Sequence, residues 1–264
     1  MLKKEEIFIP YLKKMRTLHI YVPDHLNKDE RLPVFYMFDG HNLFLDEDAT
    51  YGKSWGLLQY FTKHHVRCIV VGIECNHTGN HRLREFSPYS FNDDEWGNVK
   101  ASGKQFLEWM TTDLKQYIDT HYPTLCDREH TYLGGSSMGG LMAVYGGAMH
   151  ADIYSRSACL SPYYEHVLDR LLCDLRKLDD LEDSIFYISF GRHEWRTKRA
   201  LSRGVEENLS VMRILTEKGA KCYMHCYEFG YHNEASWEKE IPNFLHDLGI
   251  QRRKQDENTE YKRK

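Results

Sequence analysis

Ser137, Glu194 and His232 stand in an order and in settings that suit a serine nucleophile served by a base and an acid. Ser137 is the centre of Gly135-Ser136-Ser137-Met138-Gly139, a G-x-S-x-G pattern with strand-like residues before it and helical composition after it. A strand, a tight turn and a helix are the context in which this pattern raises a serine hydroxyl above the C-terminal edge of a sheet. A free hydroxyl is a poor nucleophile near neutral pH and needs a base. His232, in Gly230-Tyr231-His232-Asn233-Glu234, directly follows the last predicted strand, whereas His225 falls inside that strand and His246 inside a helix. The acid must hold the imidazole in one tautomer and stabilise its cation. Glu194, just past Gly191, lies at the C-terminal edge; Asp179, Asp180, Glu182 and Asp183 precede their strand and lie at the opposite end, with Glu165 in reserve. Attack on a carbonyl would leave an oxyanion that backbone N–H groups can hold. Met138 offers one such group, and His41, in the loop Asp39-Gly40-His41-Asn42, is expected to offer the second.

These groups converge only if the surrounding elements form an open parallel sheet, whose functional groups gather beyond the C-terminal strand ends. Residues 34–38 and 68–73 are continuous apolar runs, the mark of strands buried on both faces. Residues 7–22 alternate loosely and predict an opening antiparallel pair. Further strands are predicted at 131–134, 155–160, 185–190 and 222–229, and helices at 55–65, 99–122, 141–149, 163–178, 199–218 and 234–248. Residues 74–98 show no periodicity and are rich in Asn, His, Arg and aromatics, which suggests a functional loop. The alternation predicts an α/β fold with a mainly parallel sheet and helices on both faces, as one domain over 1–250 with a charged tail at 251–264.

Composition narrows the partners. A net charge of −4 argues against nucleic acid or an anionic membrane, and no apolar run approaches the ~20 residues of a membrane span. The N-terminus has no apolar signal core, and the odd set of seven scattered cysteines reads as reduced thiols of a cytoplasmic protein. Cys222 and Cys226 stand ~13 Å apart if extended, too far to share a metal. His41 lacks an adjacent carboxylate or second close histidine in the sequence, and His77 and His81 sit in an irregular segment, so no metal and no cofactor are expected.

The chain resembles the putative-esterase branch of the α/β-hydrolases, which includes esterase D, feruloyl esterases, enterochelin-type esterases and mycolyltransferases. Four pieces carry the resemblance: residues 36–44, Arg82-Leu83-Arg84-Glu85-Phe86-Ser87-Pro88, the glycine-framed serine, and the loops holding Glu194 and His232. The resemblance implies an α/β-hydrolase fold without a large lid domain, and a serine esterase acting on a small-molecule acetyl, feruloyl or similar ester. In that family the acid is the variable member of the triad. Asn42, Arg82, Tyr163 and Trp195, with the aromatic-rich segment 74–96, are expected to meet the substrate. An acyltransferase on the same triad, a non-catalytic binding protein and a homo-oligomer remain open at this stage.

Overall fold

The computed structural model describes residues 1–250; the charged segment 251–264 lies outside them. Two antiparallel strands open the chain, β1 (Leu2–Ile9) and β2 (Lys14–Tyr21). Then come β3 (Val34–Phe38), β4 (Ile69–Ile73), a short hairpin of β5 (Phe91–Asp93) and β6 (Gly97–Val99), β7 (Thr131–Ser136), β8 (Arg156–Leu160), β9 (Ile185–Gly191) and β10 (Lys221–Tyr227). The main sheet has eight strands in the order β1-β2-β4-β3-β7-β8-β9-β10. From β4 to β10 every pairing is parallel, while β2 joins β4 antiparallel.

The continuous apolar runs are explained by two cores, one on each face. Along β3, Val34, Tyr36 and Phe38 enter one core, and Phe35 and Met37 enter the other. Strand β4 divides in the same way, with Ile69, Val71 and Ile73 opposite Val70. The first face is covered by α3 (Gly103–Trp109), α4 (Lys115–His121), α5 (Met138–Met149), α6 (Leu168–Arg176) and α7 (Lys198–Glu217). The second carries α1 (Leu57–Lys63), α8 (Glu234–Glu238) and α9 (Ile241–Asp247). A remaining short helix, α2 (His81–Glu85), lies in the segment after β4.

Several expected elements differ in detail. The helix predicted over 99–122 begins at Gly103 and contains a π-turn at Met110–Leu114, where the Thr111 and Thr112 hydroxyls bond back to carbonyls of the preceding turn. The helix predicted over 163–178 starts only at Leu168, after Ser161 takes a left-handed backbone and Pro162 follows. The helix predicted over 234–248 is two helices, with proline in the first turn of the second, where its missing N–H costs least. Segment 74–98 contains α2 and the β5–β6 hairpin, each too short to leave a periodic signature. Its Arg82 and Glu85 are anchors: Arg82 grips Asp39, and Glu85 forms a buried pair with Arg16 at 2.7 Å and accepts from the Asn76 N–H.

The stretch between α8 and α9 gives a pH prediction. Glu240 is 3% exposed, accepts a hydrogen bond from the Tyr187 hydroxyl at 3.0 Å, and burial lifts its carboxyl to about 7. The protonated form is therefore favoured in the folded chain, and that stability is complete below the unfolded value near 4.5 and lost as pH rises through 7. Glu240→Gln, which keeps an acceptor for Tyr187, is expected to gain on the order of 3 kcal/mol relative to wild type between pH 4.5 and pH 8.5. Urea unfolding at both pH values measures it; a stability difference that does not change with pH contradicts the assignment.

Candidate active site

Strand β7 runs straight into α5, and Ser137 is the single residue between them, at φ 58° and ψ −121°. This left-handed, strained backbone is held because β7 and α5 approach so closely that a Cβ on Gly135 would lie 2.9 Å from the backbone of Gly139. The turn is braced from β8 and the loop after it: the Ser137 N–H donates to Leu160 O at 3.0 Å, and the Tyr163 N–H donates to Ser137 O at 3.1 Å. Met138 opens α5, so its N–H is among those a helix start leaves without an intrahelical acceptor.

His232 and Glu194 come together from loops after β10 and β9. His232 Nδ1 lies 2.9 Å from Glu194 Oε2. The two loops can touch because both carry glycine: a Cβ on Gly191 would lie 2.3 Å from the backbone of Gly230. The His193 N–H donating to Gly230 O at 2.9 Å ties them. The Glu194 side chain is almost fully buried, while that of His232 is 39% exposed and so open to the cavity. The other carboxylate oxygen, Oε1, accepts from the Gly191 N–H and from the Ser161 hydroxyl at 2.7 Å. Ser161 in turn accepts from Trp237 Nε1 at 2.9 Å, and the Trp237 ring meets the His232 ring edge-on at 5.3 Å between centroids. Ser161 and Trp237 are therefore part of the acid's support. The 76-residue separation between them left no local pattern to read.

Ser137 and His232 line one cavity of about 630 Å³. No hydrogen bond joins the serine hydroxyl to His232 among the described residues; free-state contacts of this kind often tighten only with substrate. The turn after β3 also lines this cavity. Asp39 adopts a left-handed backbone (φ 56°) and starts a 3₁₀ turn over Gly40–Asn42. Arg82 clamps it through Nε–Oδ1 at 2.8 Å and the second nitrogen to Oδ2 at 2.7 Å. Burial opposes the Asp39 charge, but the Arg82 charge and hydrogen bonds outweigh it and hold the carboxyl below its usual range. The His41 amide lies within this clamped turn, and the His41 ring is buried. Burial also pushes that imidazole down to about 4, so it is neutral at ordinary pH.

Of the four expected substrate contacts, Asn42 and Arg82 line the cavity, with the Arg82 guanidinium committed to Asp39. Tyr163 and Trp195 do not line it. The Tyr163 hydroxyl bonds Glu165, and Trp195 packs on Phe190 and against Gly204 of α7, where any side chain would collide with the indole. The reserve acid Glu165 pairs instead with Tyr163 and Arg203, away from His232. Tyr51, Trp96 and Glu234 line the cavity although sequence reasoning singled out none of the three individually; Tyr51 and Trp96 are large exposed aromatics. The second histidine that the sequence did not place beside His41 is His77, with ring centroids 4.5 Å apart.

A family model described as putative esterase matches residues 9–248. No curated protein sequence matches the chain. Among solved structures, a ferulic acid esterase superposes with a TM-score of 0.67 at 15% identity, covering 95% of this chain and 99% of that one. An IroE-like serine hydrolase from Shewanella oneidensis gives 0.73 at 19% identity, over 93% and 79%. The enterobactin esterase of Shigella flexneri gives 0.71 at 18% identity over 94% of this chain, which spans 58% of that longer protein. At these identities the likeness shows the fold, an α/β-hydrolase with a large, mostly parallel sheet flanked by helices.

Proposed function

The chain belongs to the putative esterase family, and from that premise we propose that it is a serine esterase working through an acyl-enzyme on Ser137. The observation that carries this reading is a strained serine at a strand–helix turn, sharing a cavity with a histidine whose Nδ1 rests on a buried carboxylate. Ser137 Oγ attacks the ester carbonyl carbon while His232 Nε2 takes its proton. The oxyanion is held by the N–H groups of Met138 and His41, and Glu194 stabilises the imidazolium. The alcohol leaves with the proton from His232. Water, activated by the same nitrogen, then releases the acid and restores Ser137.

The cavity volume is of the size that holds a small organic acyl group. Tyr51 and Trp96 on its wall favour an acyl or alcohol portion with an aromatic face, such as a feruloyl ester, over a long flexible chain. Seven cysteines without disulfides suit a reducing compartment. Among the described residues no helix is long and apolar enough to cross a membrane.

The test is a rate comparison across p-nitrophenyl acetate, butyrate and octanoate and methyl ferulate, with and without an added alcohol acceptor. The expected result is free acid as the product, with acetate and ferulate faster than octanoate. Preferential appearance of the acyl group on the acceptor would identify a transferase, and no turnover of any ester would remove the esterase reading.

A further inference from the structure

We propose that His41, Cys75 and His77 form a binding site for a divalent transition metal of the zinc class on the wall of the active-site cavity. One ligand atom from each residue lies within 4.8 Å of the other two, and all three residues line the cavity. The donor set, two imidazoles and one thiol, is that of a borderline-soft cation and not of magnesium or calcium. Cys75 Sγ is already 3.9 Å from His77 Nδ1. Bonds of about 2.3 Å to sulfur and about 2.0 Å to nitrogen place such atoms roughly 3.5 Å apart around a tetrahedral ion. For this pair the closure needed is small, and His77, with its side chain 53% exposed on the segment after β4, has room to move toward the other two ligands.

His41 supplies an independent sign. Its Nδ1 is buried and has no hydrogen-bond partner, a costly state for a ring nitrogen unless something else occupies its lone pair. The other nitrogen, Nε2, lies 3.0 Å from Thr50 Oγ1. With Nε2 donating to that hydroxyl, Nδ1 is the bare nitrogen, with a lone pair free to take a metal ion. His77 Nε2 lies 3.8 Å from Glu74, beyond a hydrogen bond in this state but close enough for that carboxylate, itself held by His19 at 2.7 Å, to orient the ring when a metal is bound. The nearby Arg82 charge is already matched by Asp39. Three protein ligands leave a fourth position, open to the cavity.

Binding is a proton exchange. The Cys75 S–H bond breaks, a sulfur–metal bond forms, and the proton passes to solvent, with no change of oxidation state. An ion held there ties the Gly40–Asn42 turn to the segment after β4, and so restrains the turn whose His41 amide serves hydrolysis on the esterase reading. Binding is measured without ester, so the site stands or falls separately from that reading.

Metal-stripped protein is titrated with Co²⁺ and then with Zn²⁺. One equivalent of Co²⁺ is expected to bind with a thiolate-to-metal charge-transfer band in the near ultraviolet, which Zn²⁺ abolishes. The band is expected to vanish in Cys75→Ser. Affinity is expected to fall at least tenfold in His77→Ala, a change at an exposed position that leaves the fold intact by circular dichroism. Absence of binding by wild type overturns the proposal. So does a band that persists in Cys75→Ser and therefore belongs to another cysteine, or unchanged affinity in folded His77→Ala.

Discussion

Replacing Ser137 by alanine is expected to lower kcat/KM for p-nitrophenyl acetate by on the order of 10⁵-fold, with little change in folding. Alanine keeps the Cβ that the φ 58° backbone already tolerates, and the bonds bracing the turn, to Leu160 and from Tyr163, are made by backbone atoms. Only the hydroxyl is lost. His232→Ala is expected to cost a similar factor, because a nucleophile and its base act as one unit. The double variant should then be scarcely slower than either single one. Steady-state rates for the four proteins, beside their melting curves, decide this. A Ser137→Ala protein retaining a tenth of wild-type activity would remove Ser137 from the chemistry, and additive losses would separate it from His232.

The second large effect concerns the acid. Glu194→Gln is expected to reduce kcat by about 10⁴-fold with KM nearly unchanged. The reason lies in the hydrogen bonds that Glu194 receives. Its Oε1 accepts from both Ser161 and the Gly191 N–H, so glutamine must turn its carbonyl oxygen to those two donors. Its NH₂ group then faces His232 Nδ1, which must accept. That forces the proton onto Nε2, the atom required to take the serine's proton. Glu194→Asp keeps the charge on a shorter side chain and is expected to recover part of the rate. A Glu194→Gln variant with wild-type kcat would show that the serine–histidine pair works without the carboxylate.

Much of this arrangement was legible in the sequence because it is local. The runs 34–38 and 68–73 predict strands buried on both faces, and the two cores divide their side chains in alternation. The rule that function collects at C-terminal strand ends selects Glu194 over Asp179, Asp180, Glu182 and Asp183, and the structure sets Glu194 on His232. What could not be read depends on contacts between distant segments. Trp237 reaches Ser161 across 76 residues, and Arg82 reaches Asp39 across 43. The motif holding Arg82 and Glu85 therefore looked like a substrate-binding segment, while its charges are spent on clamping β2 and the turn after β3. Tyr163 and Trp195, expected as aromatics of the pocket wall, do not line the cavity. Trp195 instead packs where Gly204 leaves space, a cavity no periodicity reveals. His41, Cys75 and His77 belong to two different strand ends, and only the parallel pairing of β3 with β4 sets those ends side by side.

The central claim is that Ser137 carries the acyl group, and covalent trapping tests it most directly. The protein is treated with a fluorophosphonate and analysed by peptide mass spectrometry. The account predicts one phosphonyl group per chain, on the peptide containing Ser137, with hydrolysis lost in proportion to labelling and no label in Ser137→Ala. Label on a different residue, or undiminished hydrolysis by fully labelled protein, would contradict it.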